Sequence, residues 1–209
     1  VAGAAAILED GSTLSRLDRA LFRLEGWLAL ISGLAVFGLM VLAVISVGGR
    51  NFFNQPLPGY VDWIQQAMPL IAFMGIAYTQ RLGGHIRMDI LVGALKGRPL
   101  WAAEFVTTLA VLILMALLVW GSWAHFLRSF DFGAPMWSRD SSFDINLPLW
   151  PAKLLAPVAF SVLCLRLLLQ LWGFGRAFLL GLSEPVAVPL VMSAAEQAAA
   201  EARAMSDGD

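Results

Sequence analysis

The chain has 209 residues, 59% hydrophobic and 14% charged, with a mean hydropathy of +0.74. A water-soluble domain is about 45–50% apolar and about 25% charged, so a soluble globular fold, a disordered chain, collagen and a disulfide scaffold are excluded. Lys+Arg 14 against Asp+Glu 15 leave a net charge of −1, which excludes a basic nucleic-acid binder and leaves an all-α integral membrane protein.

The N-terminal segment, residues 1–26, carries Leu14, Leu17, Leu21 and Leu24 at helical spacing, continued by Leu28, with Arg16, Arg19 and Arg23 off that stripe. This pattern predicts an amphipathic helix lying on the cytoplasmic membrane face. The alternative is a helical extension of the first span. Ser15 and Asp18 have the spacing of a capping box. No cleavable signal peptide is expected, because the first apolar run is long and starts late.

A membrane-crossing helix needs about 20 mostly apolar residues, and residues 27–178 supply four such runs. They lie near Trp27–Val47, Val61–Thr79, Leu100–Phe126 and Leu149–Trp172. Every tryptophan except Trp137 falls at or near a predicted span end, as the headgroup layer favours. Asp62 opens the second span, and Arg50 closes the first across a turn containing Pro56, Pro58 and Gly59, so an Arg50–Asp62 pair is expected to clamp that hairpin. Pro69 and Pro157 fall mid-helix and predict kinks rather than the broken helices of a transport site.

After the second span, Gly83 and Gly84 break the helix. The stretch from His85 to Leu95, with Arg87 and Asp89, predicts a short interfacial helix between spans two and three. Glu104 lies about one turn, and Arg166 about two turns, inside the cytoplasmic ends of their spans, so an ion pair between them is expected. The competing reading has Arg166 snorkel to lipid phosphate, as Lys153 is expected to do. Phospholipids are therefore expected contacts. Cys164, the single cysteine, sits in an apolar run and cannot form an internal disulfide.

The loop from about Leu127 to Pro148 mixes aromatic residues with Arg128, Asp131, Arg139, Asp140 and Asp144. It is either a docking surface for a soluble partner or a cap over the helix ends. The tail, residues 179–209, carries no assigned role. Basic residues before span one (Arg16, Arg19, Arg23) and between spans two and three (Arg81, Arg87, Lys96, Arg98) outnumber those on the other side (Arg50, Arg128, Arg139). Both termini are therefore expected in the cytoplasm.

Four function classes compete. An anchor for a haem- or flavin-bearing redox complex would need both imidazoles at one depth, but His85 and His125 should lie about 30 Å apart, on opposite sides of the bilayer. No catalytic motif or metal-ligand spacing marks an enzyme. A self-contained transporter would need inverted repeats and more midplane polar groups. An accessory subunit that stabilises a larger membrane protein fits the physics best. No cofactor is expected.

At this point the residues carry a resemblance. Gly49-Arg50-Asn51-Phe52-Phe53, the Pro-rich turn, Val61-Asp62-Trp63, Gly75-x-Ala77-Tyr78, His85-Ile86-Arg87-Met88-Asp89-Ile90-Leu91 and Leu147-Pro148-Leu149-Trp150-Pro151 occur in order along four spans. In this the chain resembles the small (DctQ-type) membrane subunit of tripartite ATP-independent periplasmic (TRAP) transporters. Where that family often has an acidic pair, this chain has Asp62 followed by Trp63. The resemblance implies a bacterial inner-membrane complex for sodium-coupled uptake of organic acids. Its partners would be a large elevator-type membrane subunit and a periplasmic substrate-binding protein. This chain would be scaffold, with neither catalysis nor a direct ligand to the solute.

Overall fold

The computed structural model describes residues 13–81 and 98–180, and every regular element among them is helical. The order is α1 (Thr13–Phe53), α2 (Tyr60–Met74), α3 (Ile76–Arg81), α4 (Arg98–Ser129) and α5 (Trp150–Leu180), with a 3₁₀ turn at Pro135–Trp137 between the last two. The expected interfacial helix, with His85, Arg87 and Asp89, lies outside the described residues, as does the tail beyond Leu180.

Three described helices, α1, α4 and α5, are long and apolar enough to cross a membrane. The second expected span is instead two helices, of 15 and 6 residues, interrupted at Gly75. The break does not fall at Pro69, which sits inside α2. It falls where Ser32 Oγ donates a hydrogen bond of 3.1 Å to the Ile71 carbonyl. The Gly75 amide is the usual helical donor to that oxygen, and a side chain inserted into the ladder is a recognised cause of a helix irregularity. Pro157 is likewise tolerated inside an unbroken α5.

The N-terminal segment takes the form of the alternative reading, a helical extension of the first span. No break separates it from the first span, because α1 is one helix of 41 residues. Its residues are good helix formers, and the single Gly26 costs only about 1 kcal/mol in a helix. The leucine stripe only partly coincides with its buried face. Leu17 and Leu24 are about half exposed, whereas Leu14, Ser15, Asp18 and Glu25 are buried.

The helix ends show why particular residues stand there. α1 stops at Asn54, whose φ of 52° is the left-handed conformation that asparagine tolerates at a helix C-terminus. Its final turn folds so tightly that a Cβ on Gly49 would lie 2.7 Å from the Gln55 carbonyl oxygen. Gly59 precedes α2 with φ 70°, and a Cβ there would meet Ile145 Cδ1 at 2.5 Å. Pro151 sits in the first turn of α5, where its missing N–H costs nothing.

The described residues form two compact units. The first comprises 13–23, 78–81, 98–113 and 164–180; the second comprises 24–77 and 114–163. In the first, Trp101, Phe174 and Ala177 form a core with Leu100 and Phe105 packed against it. Trp101 and Phe174 stack with ring centres 6.2 Å apart. In the second, Phe73 meets Phe160 edge to face at 5.2 Å, and Phe126 joins Trp123, Phe130 and Trp150 in a run of aromatic contacts.

Candidate functional site

Two polar clusters carry much of the buried charge, and Glu25 of α1 is buried as well. In the first unit, Asp18 is 1% exposed and Arg166 is fully buried. Arg81 Nη2 donates to Asp18 Oδ2 at 2.7 Å, and Arg166 Nη1 donates to Asp18 Oδ1. One carboxylate thus holds two guanidinium groups, one from α3 and one from α5. The Arg81 guanidinium also lies 3.8 Å over the Phe22 ring, which stacks on Tyr78. That contact adds cation–π attraction in a site removed from water. Beside it Gln80 Nε2 donates to Gln170 Oε1 at 3.0 Å.

Several expectations change here. Asp18 is not a capping-box residue but the acceptor of two ion pairs, because Ser15 and Asp18 both lie inside α1, on its buried face. Arg166 does not reach lipid, because Asp18 holds it in the interior. Glu104, its expected partner, is also buried, in the same unit.

In the second unit, Asp62 organises the loop after α4. Asp62 Oδ2 accepts hydrogen bonds from Ser142 Oγ at 2.6 Å, Asp144 N at 3.1 Å and Ile145 N at 2.9 Å. Ser142 Oγ in turn accepts from Leu147 N at 2.9 Å. Three donors converging on one carboxylate oxygen satisfy its charge without a cation. No ion pair joins Arg50 to Asp62 among the described residues, and Arg50 is exposed in the last turn of α1. The hairpin is clamped instead through the loop, because Ile145 packs on Gly59 beside Asp62.

The same loop is tied down at its other end. Lys153 Nζ donates to Asp140 Oδ2 and to Ser129 Oγ, and Ser129 Oγ donates to Asp140 Oδ2 at 2.9 Å. Lys153 therefore anchors the loop and does not snorkel. Its ammonium group, with the Ser129 hydroxyl, holds the Asp140 carboxyl below its ordinary pKa of 3.8. Asp131 accepts from Gly133 N and from Arg139 Nε, and both bonds lower its pKa from the same ordinary value. The Asp131–Arg139 pair is largely exposed, whereas Arg128 and the Asp144 side chain are exposed. Trp150 Nε1 donates to the Met136 carbonyl at 3.1 Å, and Met136 and Trp137 both adopt positive φ. Such backbone persists only where surrounding contacts over-determine it.

Sequence reading names Asp62, Arg166, Asp131, Arg139 and Asp140 as candidates, but it does not give the loop donors around Asp62 or the Lys153 and Ser129 contacts of Asp140. It missed Asp18 and Lys153 as ion-pair members, and it counted Arg81 only as a topology signal. His125 is exposed near the end of α4, and His85 lies outside the described residues. Among the described residues no group of three or more His, Cys, Asp or Glu is placed to hold a metal.

Long apolar helices, with Asp18, Arg81 and Arg166 paired in the interior, define a polytopic helical membrane protein. The comparison with family models then fixes the kind. The model described as "Tripartite ATP-independent periplasmic transporters, DctQ component" matches residues 39–176, more than half of the chain. The chain belongs to the DctQ family and is the small membrane component of a TRAP transporter, a family of transporter parts not known as enzymes. No match was found among curated proteins. Membership implies association with the large membrane component and with a substrate-binding protein.

Proposed function

We propose that this chain is a fixed scaffold. It braces the large elevator-type subunit and helps present the surface on which the periplasmic binding protein docks, during sodium-coupled uptake of an organic acid across the bacterial inner membrane. One observation carries the reading: the buried charges Asp18, Arg81, Arg166 and Asp62 each bind other groups of this same chain. Ionisable groups inside membrane spans usually mark solute or ion pathways; here they join helices and a loop.

The exposed faces supply the bracing surface. The most apolar stretch of α1 is only 6% buried and that of α4 only 11%, so both helices offer wide faces to a partner or to lipid. In this reading α2 and α3 together form a fourth crossing. Residues 60–81 at 1.5 Å per residue span roughly 33 Å, enough for the hydrocarbon core, and both termini then lie in the cytoplasm. Glu104 supplies the charge that the first cluster needs, because one aspartate against two arginines leaves a buried excess of positive charge. The loop from Leu127 to Pro148 faces the periplasm, where Arg128, Asp131, Arg139, Asp140 and Asp144 form the polar part of the docking surface.

Uptake by the reconstituted large subunit and binding protein, with and without this chain, tests the proposal. Transport is expected only when the chain is present, and the chain alone is expected to move no solute. Full transport in its absence would remove the scaffold role.

A further inference from the structure

The buried charges Asp18, Arg81, Arg166 and Asp62 bind other groups of this chain. Arg176 is different. It lies one turn before Leu180 at the end of α5, and unlike Arg81, Arg166 and Lys153 it has no carboxylate partner among the described residues. Arg176 lines a groove of about 630 Å³ between α4 and α5 in the first unit. Phe105 of α4 forms one wall, and Leu168, Leu171, Trp172 and Leu179 of α5 form the other. These α5 positions recur at three- and four-residue spacing, so they share one helix face. Leu168, Trp172 and Leu179 are 49%, 51% and 78% exposed.

The chemistry of the groove is that of one lipid molecule. Its walls are hydrocarbon and its volume is that of a small-molecule site. Its single cation sits at the end of a membrane-length helix, with an indole one turn before it. Trp and Arg at that level meet the headgroup layer, and a guanidinium binds phosphate through paired N–H donors. A neighbouring apolar helix would fill the groove but leave the guanidinium without an anion.

We propose that this groove binds one anionic phospholipid, its acyl chain along Phe105, Leu168 and Trp172 and its phosphate on Arg176. The site rests on α5 crossing a bilayer, which its length and composition support, and not on the scaffold role. It differs from the lipid contacts expected at Lys153 and Arg166, which the structure pairs with aspartates.

Native mass spectrometry of the full chain, with whatever it retains in mild detergent, reads this directly. With dioleoylphosphatidylglycerol added, one saturable adduct is expected, and dioleoylphosphatidylcholine should not replace it. Arg176→Gln should weaken retention by about fivefold, the effect of one basic residue on anionic-lipid attraction. Equal retention of the two lipids, or no change in the variant, would overturn the site. A photo-crosslinking residue at Leu179 in the otherwise wild-type chain gives an independent reading. A phospholipid adduct supports the proposal, and an adduct to residues 181–209 or to another polypeptide overturns it. Both readings hold whether or not a transporter subunit co-purifies.

Discussion

Asp18 balances two arginines in a site that water does not reach, and removing it leaves two cations without their shared anion. Breaking a buried ion pair by deleting one partner costs about 3–5 kcal/mol. Asp18→Asn is therefore expected to lower the thermal midpoint of the detergent-solubilised chain sharply. Combining Asp18→Asn with Arg166→Gln should cost less than the sum of the single changes, since contacting residues are non-additive. Additive effects in that cycle would show that the pair contributes no coupling. Asp62 works differently, because it serves hydrogen-bond donors and not a cation. Asp62→Ala strands the Ser142 hydroxyl and two backbone N–H groups, whereas Asp62→Asn keeps an acceptor oxygen. Limited proteolysis of the 138–148 loop should accelerate markedly in the alanine variant and less in the asparagine variant. Equal resistance in both would mean that the carboxylate does not hold the loop.

At the scale of elements, the loop between α4 and α5 is held at both ends by carboxylates with lowered pKa. A depressed carboxylate contributes stability that is fully present above the unfolded value and is lost as pH falls through the folded value. For Asp131 and Asp140 that loss lies below 3.8. Hydrogen exchange of loop amides should thus show protection that is flat from neutral pH to about pH 4, after correction for the intrinsic rate, and that falls below it. Loss of protection near pH 6 would contradict the assignment. The turn into α2 gives a steric test. Gly59→Ala meets both a positive φ and the Ile145 side chain, and its cost should exceed about 1 kcal/mol. Ile145→Ala in the same chain should recover part of that cost, leaving the backbone strain. No recovery would place the effect wholly in the backbone.

The legible part of the fold was what local composition encodes. Long apolar runs marked α1, α4 and α5, and short motifs in order marked the family. What escaped depends on distant partners. Asp18 and Arg166 are 148 positions apart, and Asp18 and Arg81 are 63. The leucine periodicity around Asp18 runs over both buried and exposed positions of α1, so it does not mark the aspartate as buried. Asp62 misled because charge matching looks for a cation, whereas its partners are mainly backbone amides that any sequence contains. Lys153 looked like a snorkelling residue until Asp140 was folded back over it. Beside the interruption at Gly75, the Ile71 carbonyl accepts from Ser32, 39 positions earlier in the chain.

For the whole molecule, the account separates holding from handling. The buried ion pairs and the Asp62 loop join parts of this chain, and the apolar faces of α1 and α4 are left for the large subunit and the bilayer. Changes to these charges should therefore alter how much working complex exists, not what it transports. The most direct measurement is uptake by the complete transporter in proteoliposomes, carrying Asp62→Ala or Arg166→Gln, with two competing solutes and varied sodium. The account predicts lower complex yield or maximal rate, with the ratio of kcat/KM for the two solutes and the sodium dependence unchanged. A shifted solute preference or an altered sodium dependence in either variant would contradict it.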